Sequence, residues 1–285
     1  MVSRNWLRES SDGSLSAYNS AFDECYHSLK DGALSETLHK HIYPSLEHIC
    51  ALDSINTESA TESSRADSMC GDSLRALDCG ALDSINALNL STPLYVLDIC
   101  FGLGYNSLAL LATLAQNGFS GRVEIYSPEL DESIFTRLRT FSYPALIEDF
   151  KDKDKILHFL ESAPYGELSA YESRAKNMEF RLHIYKADAL KLLAHLPQGA
   201  FHIVYQDAFS PKKNPTLWSE AYFCSLARLL HTQGIITTYS QSKAIRTNAL
   251  NAGLYVYDYG AKLVRAGSLM SKAPLALKQT RQILS

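Results

Sequence analysis

The chain has 285 residues, of which 46% are hydrophobic and 20% are charged, and its net charge is −4. This composition is ordinary for a globular protein with one large domain, or one domain with a small appendage. It excludes wholesale disorder, and the overall charge does not by itself indicate a nucleic-acid-binding protein.

The N-terminus lacks the apolar segment of a secretory signal, and no stretch approaches the roughly 18 consecutive apolar residues of a membrane-spanning helix. The six cysteines form no C-x-x-C pair, and the nine histidines show no metal-ligand spacing. We therefore expect a cytoplasmic protein with reduced thiols, no metal site and no membrane partner.

Residues 1–50 contain two predicted elements, and we interpret them as an N-terminal extension packed on the domain that follows. The D-G turn and the alternating pattern of Asp12–Tyr18 predict a small hairpin. Apolar residues at intervals of three and four in Asp31–Leu46 predict an amphipathic helix.

The next segment, 57–89, is rich in Ser, Asp and Ala. The hexapeptide Ala51–Asn56 recurs as Ala81–Asn86, and residues 51–90 contain seven acids and two bases. One repeated hexapeptide is too little for a solenoid, which needs several stacked units. We interpret 57–89 as a flexible low-complexity insertion that the fold does not require.

From residue 90 to the end, predicted strands and helices alternate. Strands are predicted at Leu94–Ile99, Val123–Ser127, Phe180–Lys186, Phe201–Gln206, Gly234–Tyr239 and Leu254–Tyr259. Helices are predicted at Asn106–Gln116, Asp131–Phe141, Ala187–His195, Leu217–Leu230 and Lys243–Asn251. This order predicts a Rossmann-like α/β domain over 90–285, with a mainly parallel sheet and helices on both faces. Ligands of such sheets bind at the carboxyl ends of the strands.

The loop after the first of these strands is glycine-rich. The strand carries Asp98 near its end, and Gly102 and Gly104 precede a helix that starts near Asn106. Glycines let the backbone approach a nucleotide-like ligand, and the helix supplies free N–H groups. A dinucleotide fingerprint requires a third glycine where this chain has Ser107. A carboxylate here would repel a pyrophosphate but suits the ammonium group of S-adenosylmethionine (SAM).

Acids also follow the next two strands. Glu129 stands where a doubly wound fold places an acid that accepts both ribose hydroxyls, with Asp131 as the competing candidate or a helix N-cap. Asp188, followed by Ala189, is placed either to accept a hydrogen bond from the adenine amino group or to cap the next helix. Asp98, Glu129 and Asp188 together form the pattern of a SAM site.

The loop after the fourth strand, Asp207–Trp218, is expected beside the reactive methyl group. Its acid, aromatic residue and proline are chemically similar to the [D/N]-P-P-[Y/F] loop of many N-methyltransferases. That loop orients a nucleophilic nitrogen for in-line attack. We therefore predict that Asp207 orients an amine acceptor and that Phe209 packs against the acceptor or the cofactor.

These motifs resemble those of a known family, the methyltransferase domain of the bifunctional tRNA-modification protein MnmC and its stand-alone relatives. The family motifs D-G-S, Y-H-S, G-A-x-x-E, G-F-G-T-G-x-N, S-V-E and D-G-F-[AS]-P-x-K-N-P-x-x-W are matched by Asp12–Ser14, Tyr26–Ser28, Gly32–Glu36, Cys100–Asn106, Ser127–Glu129 and Asp207–Trp218. The chain departs from these motifs at Cys100, Leu103 and Ala208. None of the departures removes a carboxylate.

The resemblance implies SAM-dependent methylation of the amine of 5-aminomethyl-(2-thio)uridine at the wobble position of tRNA, giving 5-methylaminomethyl-(2-thio)uridine. Two-domain relatives add an FAD-dependent oxidase, which we do not expect here because the chain ends at Ser285. Other enzymes are then expected to make the aminomethyl substrate. The implied binding residues are Tyr26 and Glu36 at the methionine end of SAM, and Pro211, Lys212, Lys213, Lys262 and Arg265 for tRNA.

Three further points stay open. From Lys243 onward seven basic residues face one acid, which indicates either a polyanion-binding surface or a solvated tail. An aminopropyltransferase resembling spermidine synthase shares the expected fold and an amine acceptor, but uses decarboxylated SAM. A non-catalytic tRNA-binding module is the alternative from another functional class, and the intact acids at the strand ends count against it.

Overall fold

A computed structural model describes residues 6–61, 84–88, 90, 92–261, 263–275, 277 and 280–283. The strands are β1 (Leu7–Glu9), β2 (Leu15–Asn19), β3 (Glu24–Cys25), β4 (Leu94–Ile99), β5 (Arg122–Pro128), β6 (Leu168–Ala175), β7 (Met178–Tyr185), β8 (Phe201–Gln206), β9 (Leu230–Thr238), β10 (Tyr255–Tyr259), β11 (Gly267–Ser271) and β12 (Thr280–Ile283). The α-helices span Ala33–Glu36, Tyr43–Thr61, Tyr105–Gln116, Ser133–Leu138, Ala145–Glu148, Lys153–Ser162, Ala189–His195, Glu220–Leu229 and Lys243–Asn251. Thr37–Ile42 is π-helical, and Ile85–Ala87 and Pro215–Trp218 are 3-10 turns.

Nine of these strands form one sheet in the order β12-β10-β11-β9-β8-β4-β5-β7-β6. The five central strands, β9 to β7 in that order, pair in parallel. Antiparallel strands extend both edges, with β6 beside β7, and β11, β10 and β12 beyond β9. The predicted Rossmann-like fold is confirmed, and all the strands and helices predicted in 90–285 are present. The largest difference in their bounds is at β9, which begins at Leu230 rather than at Gly234.

The centre of the sheet is buried because helices cover both of its faces. Strand β4 is almost continuously apolar and buried, as a central parallel strand should be. The helix Tyr105–Gln116 is buried at every position except its last, and it packs against the π-helical turn Thr37–Ile42. A helix that is apolar all round requires cover on all sides. The N-terminal extension supplies part of that cover.

The N-terminal extension is larger than the sequence predicts. In place of a single hairpin, β1, β2 and β3 form a three-stranded antiparallel sheet. The predicted helix Asp31–Leu46 begins at Ala33 and continues to Thr61 through the π-helical turn. Ala17, Ile42 and Leu46 are fully buried in the same hydrophobic core as the main sheet. The extension and the sheet therefore share one core.

The boundaries predicted for the insertion, 57–89, are too wide at both ends. At its start the helix continues to Thr61, and near its end Ile85 and Leu88 are buried in the main core. Residues 62–83 lie outside the described residues. Deleting the whole of 57–89 would therefore remove core side chains, contrary to the expectation that the fold does not require it. Within the described part of the chain, no helix combines the length and apolarity needed to cross a membrane.

Candidate functional site

A cavity of about 230 Å³, which we call the main cavity, opens at the carboxyl ends of β4, β5, β7 and β8. It brings together most of the residues predicted to bind the cofactor or to act in catalysis. The predicted residues that line it are Tyr26, Gly102, Asn106, Glu129, Asp188, Ala189, Asp207 and Phe209. The doubly wound topology explains this convergence, because neighbouring parallel strands end at the same edge of the sheet.

The glycine loop and the acid after β5 are tied to each other. Glu129 accepts a hydrogen bond from the backbone N–H of Gly102 at 2.7 Å on one carboxylate oxygen. It accepts another from the N–H of Asp131 at 2.8 Å on the other oxygen. Gly102 has a φ of +53°, and a Cβ there would lie 3.0 Å from the ring of Tyr26. Burial raises the pKa of Glu129 to about 7, although both backbone N–H groups lower it.

Asp98 does not line the main cavity, but it is linked to it through the side chain of Asn106. Its carboxylate is fully buried and accepts hydrogen bonds from Ser107 Oγ at 2.6 Å and from Asn106 Nδ2 at 3.4 Å. Burial raises the pKa of Asp98 to about 7. Asn106 Nδ2 also donates to Asp207 Oδ2 at 3.0 Å. One amide therefore links the acid of β4 to the acid that follows β8.

Asn106 also presents an acceptor without a donor. Its Oδ1 is buried and has no hydrogen-bond partner among the described residues. Both carboxylates hold the amide nitrogen, so the amide orientation is fixed and Oδ1 points away from them. Because the side chain lines the main cavity, this oxygen is suited to accept a hydrogen bond from a ligand there.

Asp131 and Asp188, for which the sequence leaves two roles open, differ in their position relative to the main cavity. Asp131 does not line the main cavity, and its carboxylate accepts hydrogen bonds from the N–H and Oγ of Ser133. Asp188 caps the helix Ala189–His195 by accepting the N–H of Leu190 at 2.8 Å, and it also lines the cavity. Gly104, with a φ of +78°, precedes the helix at Tyr105 and lies against Phe101 rather than at the cavity wall.

A second cavity of about 260 Å³ also has Asp207 in its wall. Tyr26, His27, Asp207 and Phe209 line both cavities. Among the described residues, Asp207 is the only carboxylate shared by the two. Glu24 and Glu36 add two more acids to the second cavity, so Glu36 lies there and not in the main cavity, where the resemblance implies it.

The loop that carries Asp207 is anchored on both sides. Trp218 Nε1 donates to the carbonyl oxygen of Phe209 at 2.7 Å. Glu24 of β3 accepts hydrogen bonds from the N–H and Oγ of Ser210. The ring of Phe209 stacks on Phe22 with centroids 4.6 Å apart. Sequence reasoning missed Phe22 and Glu24, because they lie almost two hundred residues away from the loop and carry no recognisable motif.

Of the described basic residues predicted to contact tRNA, only Arg265 is found to line the second cavity. Lys212 and Lys213 are exposed, and Lys213 pairs with Asp23 at 2.9 Å. Arg265 lines the second cavity and pairs with Asp31 at 3.0 Å. Pro211 is half-buried in the loop, whereas Lys262 lies outside the described residues.

A buried lysine organises the acids behind the second cavity. Lys40 is 2% exposed and contacts Asp31 at 2.9 Å and Glu36 at 2.7 Å. Burial alone would raise the pKa of Asp31, but Lys40 and Arg265 lower it overall. Lys40 and Arg265 therefore favour the charged form of Asp31 behind the second cavity.

Comparisons with known proteins show which proteins the chain resembles. Residues 152–261 match a family of S-adenosyl-L-methionine-dependent methyltransferases. The chain is 28% identical over 195 residues to the tRNA 5-methylaminomethyl-2-thiouridine biosynthesis bifunctional protein MnmC of Aeromonas hydrophila, covering 61% of this chain and 27% of that protein. It is 26% identical over 171 residues to an uncharacterized protein of Methanocaldococcus jannaschii, covering 60% of this chain and 43% of that protein. The chain thus spans less than half the length of these two relatives.

A solved structure extends the similarity to nearly the whole chain. The crystal structure of MnmC2 from Aquifex aeolicus superposes with a TM-score of 0.66 at 25% identity. The superposition covers 94% of this chain and 71% of that chain. The uncovered 6% of this chain is smaller than the N-terminal extension, so the superposition includes at least part of that extension as well as the central sheet.

Proposed function

We propose that this chain, which belongs to the MnmC methyltransferase-like family, transfers a methyl group from SAM to an amine on tRNA. The acceptor is the amine of 5-aminomethyl-(2-thio)uridine at the wobble position. The observation that carries the proposal is the meeting of two cavities at one carboxylate, Asp207. One cavity suits the cofactor, and the other suits a cationic amine.

The residues of the main cavity fit SAM, which when bound supplies an electrophilic methyl group on a sulfonium. Asn106 Oδ1 is a buried acceptor with no donor in the described part of the chain, and the ammonium group of the methionine moiety supplies one. Each oxygen of Glu129 accepts one backbone N–H and retains a lone pair for a ribose hydroxyl. Leu130 and Leu190 provide apolar surface beside Asp188 for the adenine.

The second cavity fits the acceptor by charge. Glu24, Glu36 and Asp207 line it. Lys40 pairs with Glu36, and Arg265, the cation in the cavity wall, pairs with Asp31. The carboxylates of Glu24 and Asp207 therefore exceed the cations of this cluster, and this excess attracts an alkylammonium group. Phe209 and Tyr26 offer aromatic faces on which the uracil ring can pack.

Asp207 has two tasks in the proposed reaction. Only the unprotonated amine has the lone pair that forms the new N–C bond as the C–S bond breaks and its electron pair goes to sulfur. Asp207 attracts the ammonium form, and its hydrogen bond to the amine then directs the lone pair towards the main cavity. The nitrogen loses one proton overall, and Asp207 is placed to accept it. Asn106 restrains the carboxylate throughout by its hydrogen bond to Oδ2.

We further propose that Lys212, Lys213 and Arg265 contact tRNA phosphates around the mouth of the second cavity, and that the protein acts in the cytoplasm. The test is incubation of the protein with methyl-labelled SAM and tRNA that carries unmethylated aminomethyluridine, followed by nucleoside analysis. We expect one labelled methyl on the aminomethyl nitrogen, and none with Asp207→Asn at unchanged SAM affinity. Transfer of an aminopropyl group from decarboxylated SAM, or label on another atom of tRNA, would overturn the proposal.

A further inference from the structure

His41 lies beside Asp207, outside both cavities. It is fully buried in the π-helical turn Thr37–Ile42 and lines neither cavity. Its Nδ1 lies 2.7 Å from Thr237 Oγ1 of β9. Its Nε2 lies 3.7 Å from Asp207 Oδ1, which is too long for a hydrogen bond.

The Nε2 atom has no hydrogen-bond partner among the described residues. A buried polar atom without a partner is unfavourable, so such atoms in native proteins require a reason. Hydrogen bonds used in catalysis are often long in ligand-free sites and shorten when the site is occupied. π-Helical turns are also frequent at functional sites. These features indicate that the contact between His41 and Asp207 forms during the reaction.

The surroundings of His41 select its protonation state. Burial has the largest effect and lowers the pKa of His41. The nearby acids Asp207 and Glu36 act in the opposite direction, whereas Lys40 and His27 lower the pKa further. The ring is therefore neutral near neutral pH and carries a single N–H. With the Thr237 hydroxyl donating to Nδ1, the N–H sits on Nε2 and faces the carboxylate. The opposite tautomer would direct a lone pair at Asp207, which is repulsive.

We propose that His41 is a positioning residue for Asp207, whose Nε2–H donates to Oδ1 when an amine occupies the second cavity. Asn106 holds Oδ2 at the same time, so two donors from different elements fix the plane of the carboxylate. The lone pairs left on Asp207 then orient the amine. This inference rests on the proposed function for its amine substrate, but it concerns the tautomer and geometry of this chain alone.

Two variants of His41 separate positioning from structural support. His41→Met keeps most of the volume and removes the donor, whereas His41→Gln keeps an N–H donor that does not titrate. We expect His41→Met to lower kcat by about 10- to 100-fold, because a misplaced orienting group costs up to about 100-fold. SAM affinity should stay within about twofold of the wild type, since the side chain is outside the main cavity. His41→Gln should restore kcat to within about fivefold of the wild type.

His48 supplies the matched control. It is a buried histidine of the adjoining helix, and its Nε2 lies 2.8 Å from the carbonyl oxygen of Gln233, away from both cavities. His48→Met should lower the melting temperature and leave kcat unchanged. Equal losses of kcat in His41→Met and His48→Met, or a folded His41→Gln that is as inactive as His41→Met, would overturn the positioning role.

The tautomer provides a test that needs no turnover. In the ¹⁵N spectrum of wild-type protein labelled at histidine, we expect His41 to be neutral with its proton on Nε2. A proton on Nδ1, or a doubly protonated ring at pH 7, would refute the inference. If the wild type does not methylate aminomethyluridine in tRNA, the proposed function fails, while the tautomer still decides the role of His41.

Discussion

The pH dependence of SAM binding follows from the ionisation of Glu129. Burial raises the pKa of this carboxyl to about 7 from its ordinary value of 4.5. Ribose hydroxyls donate to the ionised form, so the protonated side chain is a poorer acceptor. For a carboxyl with a pKa of about 7, the ionised fraction is about 0.03 at pH 5.5 and about 0.76 at pH 7.5. The Kd for SAM should therefore fall by about 25-fold over this interval.

Isothermal titration of the protein with SAM at several pH values measures this directly. Glu129→Gln should weaken binding at pH 7.5 and flatten the pH profile, because the amide does not titrate in this range. Glu132→Gln is the matched control: Glu132 is exposed, lies three residues further along and is absent from the main cavity, so its replacement should leave the profile unchanged. A flat profile in the wild type, or an unchanged slope in Glu129→Gln, would refute the assignment of Glu129 to the cofactor.

Four further predictions follow from the structure. Because the pKa values of Asp98 and Glu129 are raised, the folded state binds protons more tightly than the unfolded state. The free energy of unfolding of the ligand-free protein, measured in urea, should therefore fall by about 3 kcal/mol for each group as pH rises from about 4.5 to above 7. A rise in the free energy of unfolding over this interval would contradict both shifts. Ile85→Ala should lower the free energy of unfolding by about 2–4 kcal/mol, because Ile85 is fully buried, and a loss below about 1 kcal/mol would place it outside the core. Cys100→Gly should stabilise the fold by up to about 1 kcal/mol, because Cys100 has a left-handed φ of +69°, and a destabilised variant in the same assay would refute the role of backbone strain here. Lys212→Ala combined with Lys213→Ala should raise KM for tRNA and reduce the log–log salt slope of binding by about two, and an unchanged slope would move the tRNA surface elsewhere.

The central parallel strands were predictable because their local signals agree. Strands β4 and β8 are apolar runs bounded by polar residues, and the helix Lys243–Asn251 has the predicted bounds. The edge strand β6 was missed because half of its residues are polar, none is fully buried, and it is paired on one side only. The helix predicted from Leu217 begins at Glu220 because the Ser219 side chain caps it by accepting the N–H of Tyr222.

The acids of the candidate site were predictable for the same local reason. Each of Asp98, Glu129, Asp188 and Asp207 lies at or just beyond the end of a parallel strand, and topology brings those ends together. The sequence does not indicate which residues surround these acids from other parts of the chain. The roles of Glu36 and His41 depend on how a helix from the N-terminal extension packs across β9, and no spacing within that helix encodes such a contact.

The N-terminal extension is better understood as part of the site than as an appendage. It supplies Tyr26 and His27 to the walls of both cavities, Glu24 to the anchor of the Asp207 loop, and His41 behind Asp207. Its helix also buries apolar side chains in the core of the sheet, so the position of the site depends on that shared core. The carboxylates at the strand ends suit binding of the cofactor. The second cavity, which we propose for the acceptor, depends on the extension as well, because most of its lining residues come from it.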